Sequence, residues 1–128
     1  MTRVLLDTHV FVWWVEGRED LSAAARRVIE DGDSVVLISA ASAWELAIKT
    51  RLGKFKSRHL SRSIDEQIQM EGFEPLPISI EHGVRAGGLH SPHKDPFDRM
   101  LAAQAQIEDV AVVSKDIAFD ALSVRRIW

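Results

Sequence analysis

The segment most diagnostic of the fold spans residues 95–116 and reads DPFDRMLAAQAQIEDVAVVSKD. It has the chemistry of a helix start, with Asp95 suited to the N-cap and Pro96 to the first turn. We therefore predict a helix over residues 95–109. The unbroken apolar run at 110–113 predicts a strand buried on both faces. A helix followed directly by such a strand is typical of a parallel sheet covered by helices.

The same alternation runs through the rest of the chain. Further strands are predicted at 4–6, 34–38, 76–78 and 122–128, and further helices at 23–31, 40–52, 63–71 and 81–89. Residues 8–16 fit a strand or a helix, and Trp13 and Trp14 favour a buried helix. Pro77 suits a sheet edge. We predict an α/β fold: one three-layer α/β/α domain over residues 1–128, whose central sheet is mostly parallel with about five strands.

Composition narrows the class of protein. The chain has 128 residues, is 46% hydrophobic and contains no Cys, which excludes disulfide scaffolds, thiolate metal sites and cysteine nucleophiles. No apolar run approaches the roughly 18 residues of a membrane span, and no signal-peptide pattern is present. We expect a cytoplasmic, globular protein with no membrane partner.

Charge is distributed unevenly. The net charge of −3 argues against a basic coat for nucleic acid, yet residues 49–62 contain no acid. This stretch offers candidate RNA-binding residues, namely Lys49, Arg51, Lys54, Lys56 and Arg58. It fits a local polyanion site, and it fits equally well a solvated helix end and loop.

Acids follow two of the strongest predicted strands. Asp7 comes after the first strand and Asp116 after the strand at 110–113, with the hydroxyls of Thr8 and Ser114 nearby. Parallel sheets bind ligands beyond the carboxyl ends of their strands, so both acids are expected at that edge. The alternative for each is a helix or turn cap.

Two more acids lie on predicted helices. Glu45 shares a helix face with Ala41, Ile48 and Leu52, which predicts an inward carboxylate that is protonated, paired or bound to a metal. The alternative is a face that turns toward solvent near Lys49.

Asp98 lies in the first turn of the helix at 95–109 and shares a face with Leu101, Ala102 and Ala105. Capping and catalysis are compatible for Asp98, whereas Asp95 is assigned mainly to capping. Arg99 is expected to pair with a carboxylate or, less favoured, to contact a phosphate.

If Asp7, Glu45, Asp98 and Asp116 converge, they form an all-oxygen site suited to Mg²⁺ or Mn²⁺. Such a site supports hydrolysis of phosphodiesters. A zinc site at His90 and His93 is disfavoured, because no further soft ligand lies nearby.

Two other classes with acids at the same sheet edge fit poorly. A receiver domain needs a phosphoacceptor Asp near mid-chain, and residues 43–64 contain no Asp. A haloacid-type phosphatase needs a second Asp two positions after Asp7, where this chain has His9.

The four acids and their surroundings resemble the PIN-domain nucleases, and more narrowly the VapC toxins of type II toxin–antitoxin modules. The matching segments are LLDTH at Asp7, SAWELAIK at Glu45, HKDPFDRML at Asp98 and VVSKD at Asp116. Ser114 stands where the family often has Thr, which keeps the hydroxyl.

The resemblance implies a Mg²⁺- or Mn²⁺-dependent endoribonuclease that inhibits translation, with Asp7, Glu45, Asp98 and Asp116 as catalytic and metal-binding residues. Thr8, Ser114 and Arg99 would support them. It also implies a homodimer and a VapB-type antitoxin, through which alone the protein would contact DNA. The alternative is a catalytically silent PIN-like module that binds RNA or protein, although loss of an acid would be expected there.

Overall fold

The computed structural model describes residues 2–17, 19–57, 60 and 63–128, in which strands and helices alternate along the chain. The strands are β1 (Thr2–Leu6), β2 (Ser34–Ser39), β3 (Glu74–Leu76), β4 (Ala111–Val113) and β5 (Arg126–Ile127). The helices are α1 (Thr8–Glu16), α2 (Ala23–Glu30), α3 (Ala40–Arg51), α4 (Ile64–Met70), α5 (Ile80–Gly88) and α6 (Pro96–Glu108), with a 3₁₀ helix at Ile117–Leu122. The ambiguous segment at 8–16 is therefore a helix.

The five strands form one sheet in the order β3-β2-β1-β4-β5, and every neighbouring pair is parallel. The α/β prediction with about five strands is confirmed. β1 lies at the centre, paired with β2 on one side and β4 on the other, so Leu6 stands opposite Val113. The carboxyl ends of β1 and β4 therefore meet at one edge of the sheet.

Alternate residues of β1 enter two hydrophobic cores. Val4 and Leu6 pack with Phe11 of α1 and residues of α2, while Leu5 packs with Leu101 and other residues of α6. Helices thus cover both faces of the sheet, which is why its central strands are apolar throughout. No helix in the described part of the chain is long and apolar enough to cross a membrane.

Two predicted strands differ most from their bounds in the structure, while the other three differ by only one or two residues at an end. The strand predicted at 76–78 lies at Glu74–Leu76, at the sheet edge as expected, and the proline within it is Pro75 rather than Pro77. An edge strand tolerates a proline whose missing N–H would face away from the neighbouring strand. The strand predicted at 122–128 contains only Arg126–Ile127. The 3₁₀ helix extends to Leu122, and Ser123 follows it with a left-handed φ of 58°, which interrupts extended backbone.

Candidate active site

Asp7 lies at the carboxyl end of the central strand and is almost completely buried, with 6% of its surface exposed. Its N–H donates to the carbonyl of Val113 at 3.0 Å, which continues the pairing of β1 with β4. Asp7 occupies the N-cap position of α1, but its side chain makes no capping hydrogen bond there. Its Oδ2 instead accepts a hydrogen bond of 2.6 Å from the wholly buried Ser114 hydroxyl. The Ser114 hydroxyl is therefore the partner that fixes this oxygen of the carboxylate.

Glu45 is held beside Asp7 by contacts between α1 and α3. The Thr8 hydroxyl donates to Ser42 Oγ at 2.8 Å, and both side chains are buried. Glu45 lies one turn further along α3 and is 7% exposed, so it faces inward as predicted. The predicted face does not stay inward over its whole length, because Leu52, beyond the end of α3, is 51% exposed.

Lys49 neutralises part of the Glu45 charge. Its Nζ donates to Glu45 Oε2 at 2.9 Å across one helical turn. Glu45 is therefore paired, which is one of the three states expected for a buried carboxylate. The sequence predicts Lys49 as an RNA-binding candidate, whereas in this structure its ammonium group is hydrogen-bonded to Glu45.

Asp98 lies in the first turn of α6, where Asp95 is the N-cap. Asp95 Oδ1 accepts from the N–H groups of Phe97 and Asp98, as predicted for a capping residue. Asp98 Oδ2 lies 2.8 Å from Nε2 of His93. Burial raises the pKa of Asp98 to about 6, and the charges of Asp95 and Asp7 act in the same direction.

Asp116 is the exposed member of the predicted set. It caps the 3₁₀ helix by accepting from the Ala118 N–H at 2.9 Å, and its own N–H donates to Ser114 Oγ at 3.0 Å. It shares a cavity of about 290 Å³ with Asp7, lined also by His9, Trp13 and Lys115. Asp7 and Asp116 thus lie on the same side of the sheet edge.

The acids influence one another electrostatically. Burial raises the pKa of Asp7, the hydrogen bond from Ser114 lowers it, and the charge of Glu45 raises it again. The charge of Asp7 in turn raises the pKa of Asp98. Asp7, Glu45 and Asp98 come from β1, α3 and α6, so three elements distant in sequence place negative charge in one region.

The donor chemistry fits a hard divalent cation. All four predicted residues offer carboxylate oxygens, which Mg²⁺ and Mn²⁺ prefer, and the raised pKa values of Asp7 and Asp98 mark negative charge that a cation would stabilise. As the side chains stand, no three His, Asp or Glu residues within the described ranges are grouped closely enough to hold a metal ion. The four residues therefore fit the ion in donor type and charge, while their side chains are not gathered around one point.

Arg99 differs from its prediction. Its guanidinium donates to the main-chain carbonyls of Leu89, Ser91 and His93, rather than to a carboxylate or toward a phosphate position. The reason is the position of Arg99 in α6, where its side chain faces the loop at 89–93. This loop belongs to no helix or strand, so its main-chain carbonyls need hydrogen-bond donors from elsewhere, and Arg99 supplies them.

The basic stretch is only partly described. Arg51, Lys54 and Lys56 are exposed, as a polyanion site requires. Arg58 lies outside the described residues.

Sequence reasoning missed three residues of this region: His9, Ser42 and His93. His9 Nδ1 lies 3.9 Å from Asp7 Oδ1. The only available signal for Ser42 was its position one turn before Glu45 on the same helix. His93 belongs to an irregular loop, where no periodicity indicates which way a side chain faces.

A family model described as the PIN domain matches residues 4–124 of this chain. The chain belongs to the PIN-domain family, as the four acidic segments predicted. Among its relatives, ribonuclease VapC22 of Mycobacterium tuberculosis is 32% identical over 119 residues, covering 91% of this chain and 88% of that protein. Ribonuclease VapC16 of the same organism is 35% identical over 68 residues, covering 52% of this chain and 48% of that protein. The predicted VapC relationship is therefore confirmed.

Solved structures share the fold over almost the whole chain. DNA-bound VapBC from Salmonella typhimurium has a chain with a TM-score of 0.70 at 18% identity, covering 98% of this chain and 97% of that one. FitAcB from Neisseria gonorrhoeae has one with a TM-score of 0.64 at 18% identity, covering 96% and 95%. At these identities the likeness is one of fold.

Proposed function

We propose that this protein is an endoribonuclease that requires Mg²⁺ or Mn²⁺ and serves as the toxin of a type II toxin–antitoxin module. In this proposal it inhibits translation by hydrolysing RNA phosphodiester bonds. The observation that carries it is that Asp7, buried at the carboxyl end of the central strand, shares a cavity with Asp116 and lies close enough to Glu45 and Asp98 for their charges to interact with its own. The relationship to ribonuclease VapC22 supports the same activity.

Asp7, Glu45, Asp98 and Asp116 are the proposed metal-binding and catalytic residues. A bound Mg²⁺ or Mn²⁺ would orient and activate water and stabilise charge on the phosphodiester. Ser114 holds one oxygen of Asp7, and Thr8 holds Ser42 and so joins α1 to α3 beneath Glu45. The protein's own contribution is to keep these carboxylates oriented within a partly buried site before RNA arrives.

The proposed RNA path follows α3 into the basic stretch. Arg51 ends α3, two turns beyond Glu45, and Lys54 and Lys56 follow it. Exposed cations at this distance along the chain would bind backbone phosphates near the acids without specifying a sequence.

The proposal extends to the partners and setting that the family resemblance implies. A VapB-type antitoxin would inhibit the protein by covering the acidic site, and DNA would be contacted only through that antitoxin. Two fold neighbours, VapBC2 from Rickettsia felis and VapBC from Salmonella typhimurium, were solved bound to DNA, which is consistent with such an arrangement in those complexes. The protein would act in the cytoplasm as a homodimer, with residues 1–128 forming one domain in each copy.

One observation favours a second candidate, a catalytically silent module that binds RNA or protein. Within the described ranges the acids are not grouped closely enough to hold a metal ion, and Lys49 already pairs with Glu45. A silent module would keep the fold and the basic stretch while leaving RNA intact.

Cleavage of RNA with and without divalent metal separates the two candidates. Purified protein is incubated with a mixed RNA pool in Mg²⁺, in Mn²⁺ and in EDTA, with the Asp7→Asn variant alongside as a check on contaminating nucleases. The nuclease proposal expects cleavage in either metal, none in EDTA, and none by the variant. Equal cleavage in EDTA would reject metal dependence, and RNA bound but uncut in every buffer would establish the silent module.

A further inference from the structure

Arg99 fixes the loop that precedes α6. Its Nη2 donates to the carbonyl of Leu89 at 2.7 Å, and its Nη1 to the carbonyls of His93 at 3.1 Å and Ser91 at 3.4 Å. The Ser91 hydroxyl oxygen also accepts from the His93 N–H at 3.2 Å. A rigid, forked cation thus joins three main-chain carbonyls, which sets the path of residues 89–93 relative to α6.

The loop path determines where the His93 side chain lies. Its Nε2 is 2.8 Å from Asp98 Oδ2, a distance typical of a charge-assisted hydrogen bond. The two side chains are 26% and 18% exposed, so water competes only partly for the contact. With Nε2–H donating to Oδ2, one oxygen of the carboxylate has a fixed partner.

An acid at the position of Asp98 in a helix has a competing arrangement. The third residue of a helix can turn its side chain back to the main-chain N–H of the N-cap residue, here Asp95. A carboxylate drawn into that bond would point along the helix start instead of toward Asp7. The His93 hydrogen bond favours the other orientation.

We propose that His93 is a positioning residue for Asp98, held in place by Arg99, and that it orients the Asp98 carboxylate for cation binding. This inference rests on the proposed nuclease function. It gives Arg99 a role through main-chain carbonyls, in place of the phosphate or carboxylate contact predicted from sequence. Outer hydrogen-bond partners of metal ligands commonly change metal affinity or activity about 10–100-fold when removed.

The test measures Mn²⁺ binding to metal-free protein by calorimetry, alongside kcat and KM for RNA cleavage. His93→Ala removes the donor, His93→Gln keeps an N–H of similar reach, and His90→Ala is the matched control on an exposed histidine of the same loop. Circular dichroism establishes that each variant is folded. Arg99→Gln and the Arg99→Gln/His93→Ala pair test whether Arg99 acts through His93.

We expect His93→Ala to weaken Mn²⁺ binding by about 10-fold or more and to lower kcat, with little change in KM. His93→Gln should restore most of both, and His90→Ala should match the wild type. Arg99→Gln should also weaken Mn²⁺ binding. The double variant should bind Mn²⁺ little more weakly than His93→Ala alone, because Arg99 acts through His93.

Three results would overturn the proposal in distinguishable ways. Wild-type Mn²⁺ affinity in folded His93→Ala would reject the positioning role while leaving the EDTA-sensitive cleavage of the wild type intact. A wild-type protein that neither binds Mn²⁺ nor cleaves RNA would reject the nuclease function and the positioning role together. Loss of binding in His93→Gln equal to that in His93→Ala would mean that the hydrogen bond is not what matters.

Discussion

Two clusters of buried polar side chains in this protein have opposite electrostatic character. Around Gln104, donors meet acceptors: the Ser39 hydroxyl donates to its Oε1 at 2.5 Å, and its Nε2 donates to the Pro77 carbonyl at 3.2 Å. Nearby, His82 accepts from the Ser79 N–H and lies 3.1 Å from Glu108 Oε2. In the acidic cluster, by contrast, Asp7 is buried, Asp98 is half-buried, and both are repelled by neighbouring carboxylates.

The difference between the two clusters indicates which residues stabilise the fold and which belong to the proposed functional site. A satisfied buried network stabilises one arrangement of the chain, and the Gln104 network joins the end of β2 to α5 and α6. Buried like charges destabilise a fold unless something compensates them, so their presence at a sheet edge indicates a site that uses them. We therefore expect substitutions in the first cluster to affect unfolding and those in the second to affect RNA cleavage.

The largest effect should come from Glu45→Gln, which keeps the shape and removes the charge. We expect RNA cleavage to fall by at least about 100-fold, because the proposed active site loses one of its four carboxylates. Initial rates in Mg²⁺ measure the change. Glu108→Gln is the matched control, since its acceptor oxygen in the satisfied network survives, and cleavage by it should stay at the wild-type rate. Wild-type cleavage by folded Glu45→Gln would remove Glu45 from the site.

Next in size is the effect of Gln104→Ala on stability. The variant leaves the Ser39 hydroxyl and the Pro77 carbonyl without their partner and opens a cavity, so the free energy of unfolding should fall by about 2–4 kcal/mol. Urea denaturation measures it, with the exposed Gln69→Ala as control. A loss below about 0.5 kcal/mol would mean that the network contributes little to folding.

A smaller effect is expected from the titration of Asp98. Its pKa is about 6 in the folded protein against an ordinary value of 3.8, so the folded state binds this proton more tightly than the unfolded chain does. The stability it contributes is complete below about pH 4 and is lost as the pH rises through about 6.

Urea unfolding of the wild type and Asp98→Asn in metal-free buffer at pH 4 and pH 7 isolates this contribution. From pH 4 to pH 7 the wild type should lose on the order of 1 kcal/mol of unfolding free energy relative to Asp98→Asn. The partial exposure of the side chain keeps the effect this small. A constant difference would show that Asp98 titrates alike in both states.

The smallest effect concerns the basic stretch. Lys54→Ala should weaken binding of any RNA roughly 3-fold and lower the slope of log affinity against log salt by about one, as expected for one lost phosphate contact. Fluorescence anisotropy at several salt concentrations measures both, in a cleavage-deficient background. Arg27→Ala on α2 is the control for a lost cation outside the stretch. An unchanged salt slope in Lys54→Ala would assign this lysine to the solvated surface.

Local patterns predicted most of the fold. The apolar runs before Asp7 and at 110–113 lie in strands, and Asp95 followed by Pro96 starts a helix, because burial and capping leave a direct record in neighbouring residues. The prediction was wrong over residues 122–125, where the last residue of a 3₁₀ helix, Leu122, and a left-handed Ser123 precede a strand of only two residues. This segment, LSVRRIW, is too short and too mixed in polarity for periodicity to distinguish these conformations.

The candidate site was predictable only in part. Spacing alone indicated that Glu45 faces inward and that Asp7 lies at the sheet edge. The partner of each carboxylate was not indicated, since Ser114 is 107 positions from Asp7. Arg99 was assigned by charge to a carboxylate, yet its geometry favours the nearby loop carbonyls.

The order of residues is sufficient to specify alternating elements, a parallel sheet and two acids, Asp7 and Asp116, at its carboxyl edge. Folding alone determines that β1, α3 and α6 bring Asp7, Glu45 and Asp98 within electrostatic reach, and that His93 rather than His90 contacts Asp98. The physical reason is the separation along the sequence over which each interaction acts. Capping and periodicity act within a few residues, whereas the charges and hydrogen bonds of the site join segments that meet only when the sheet has formed.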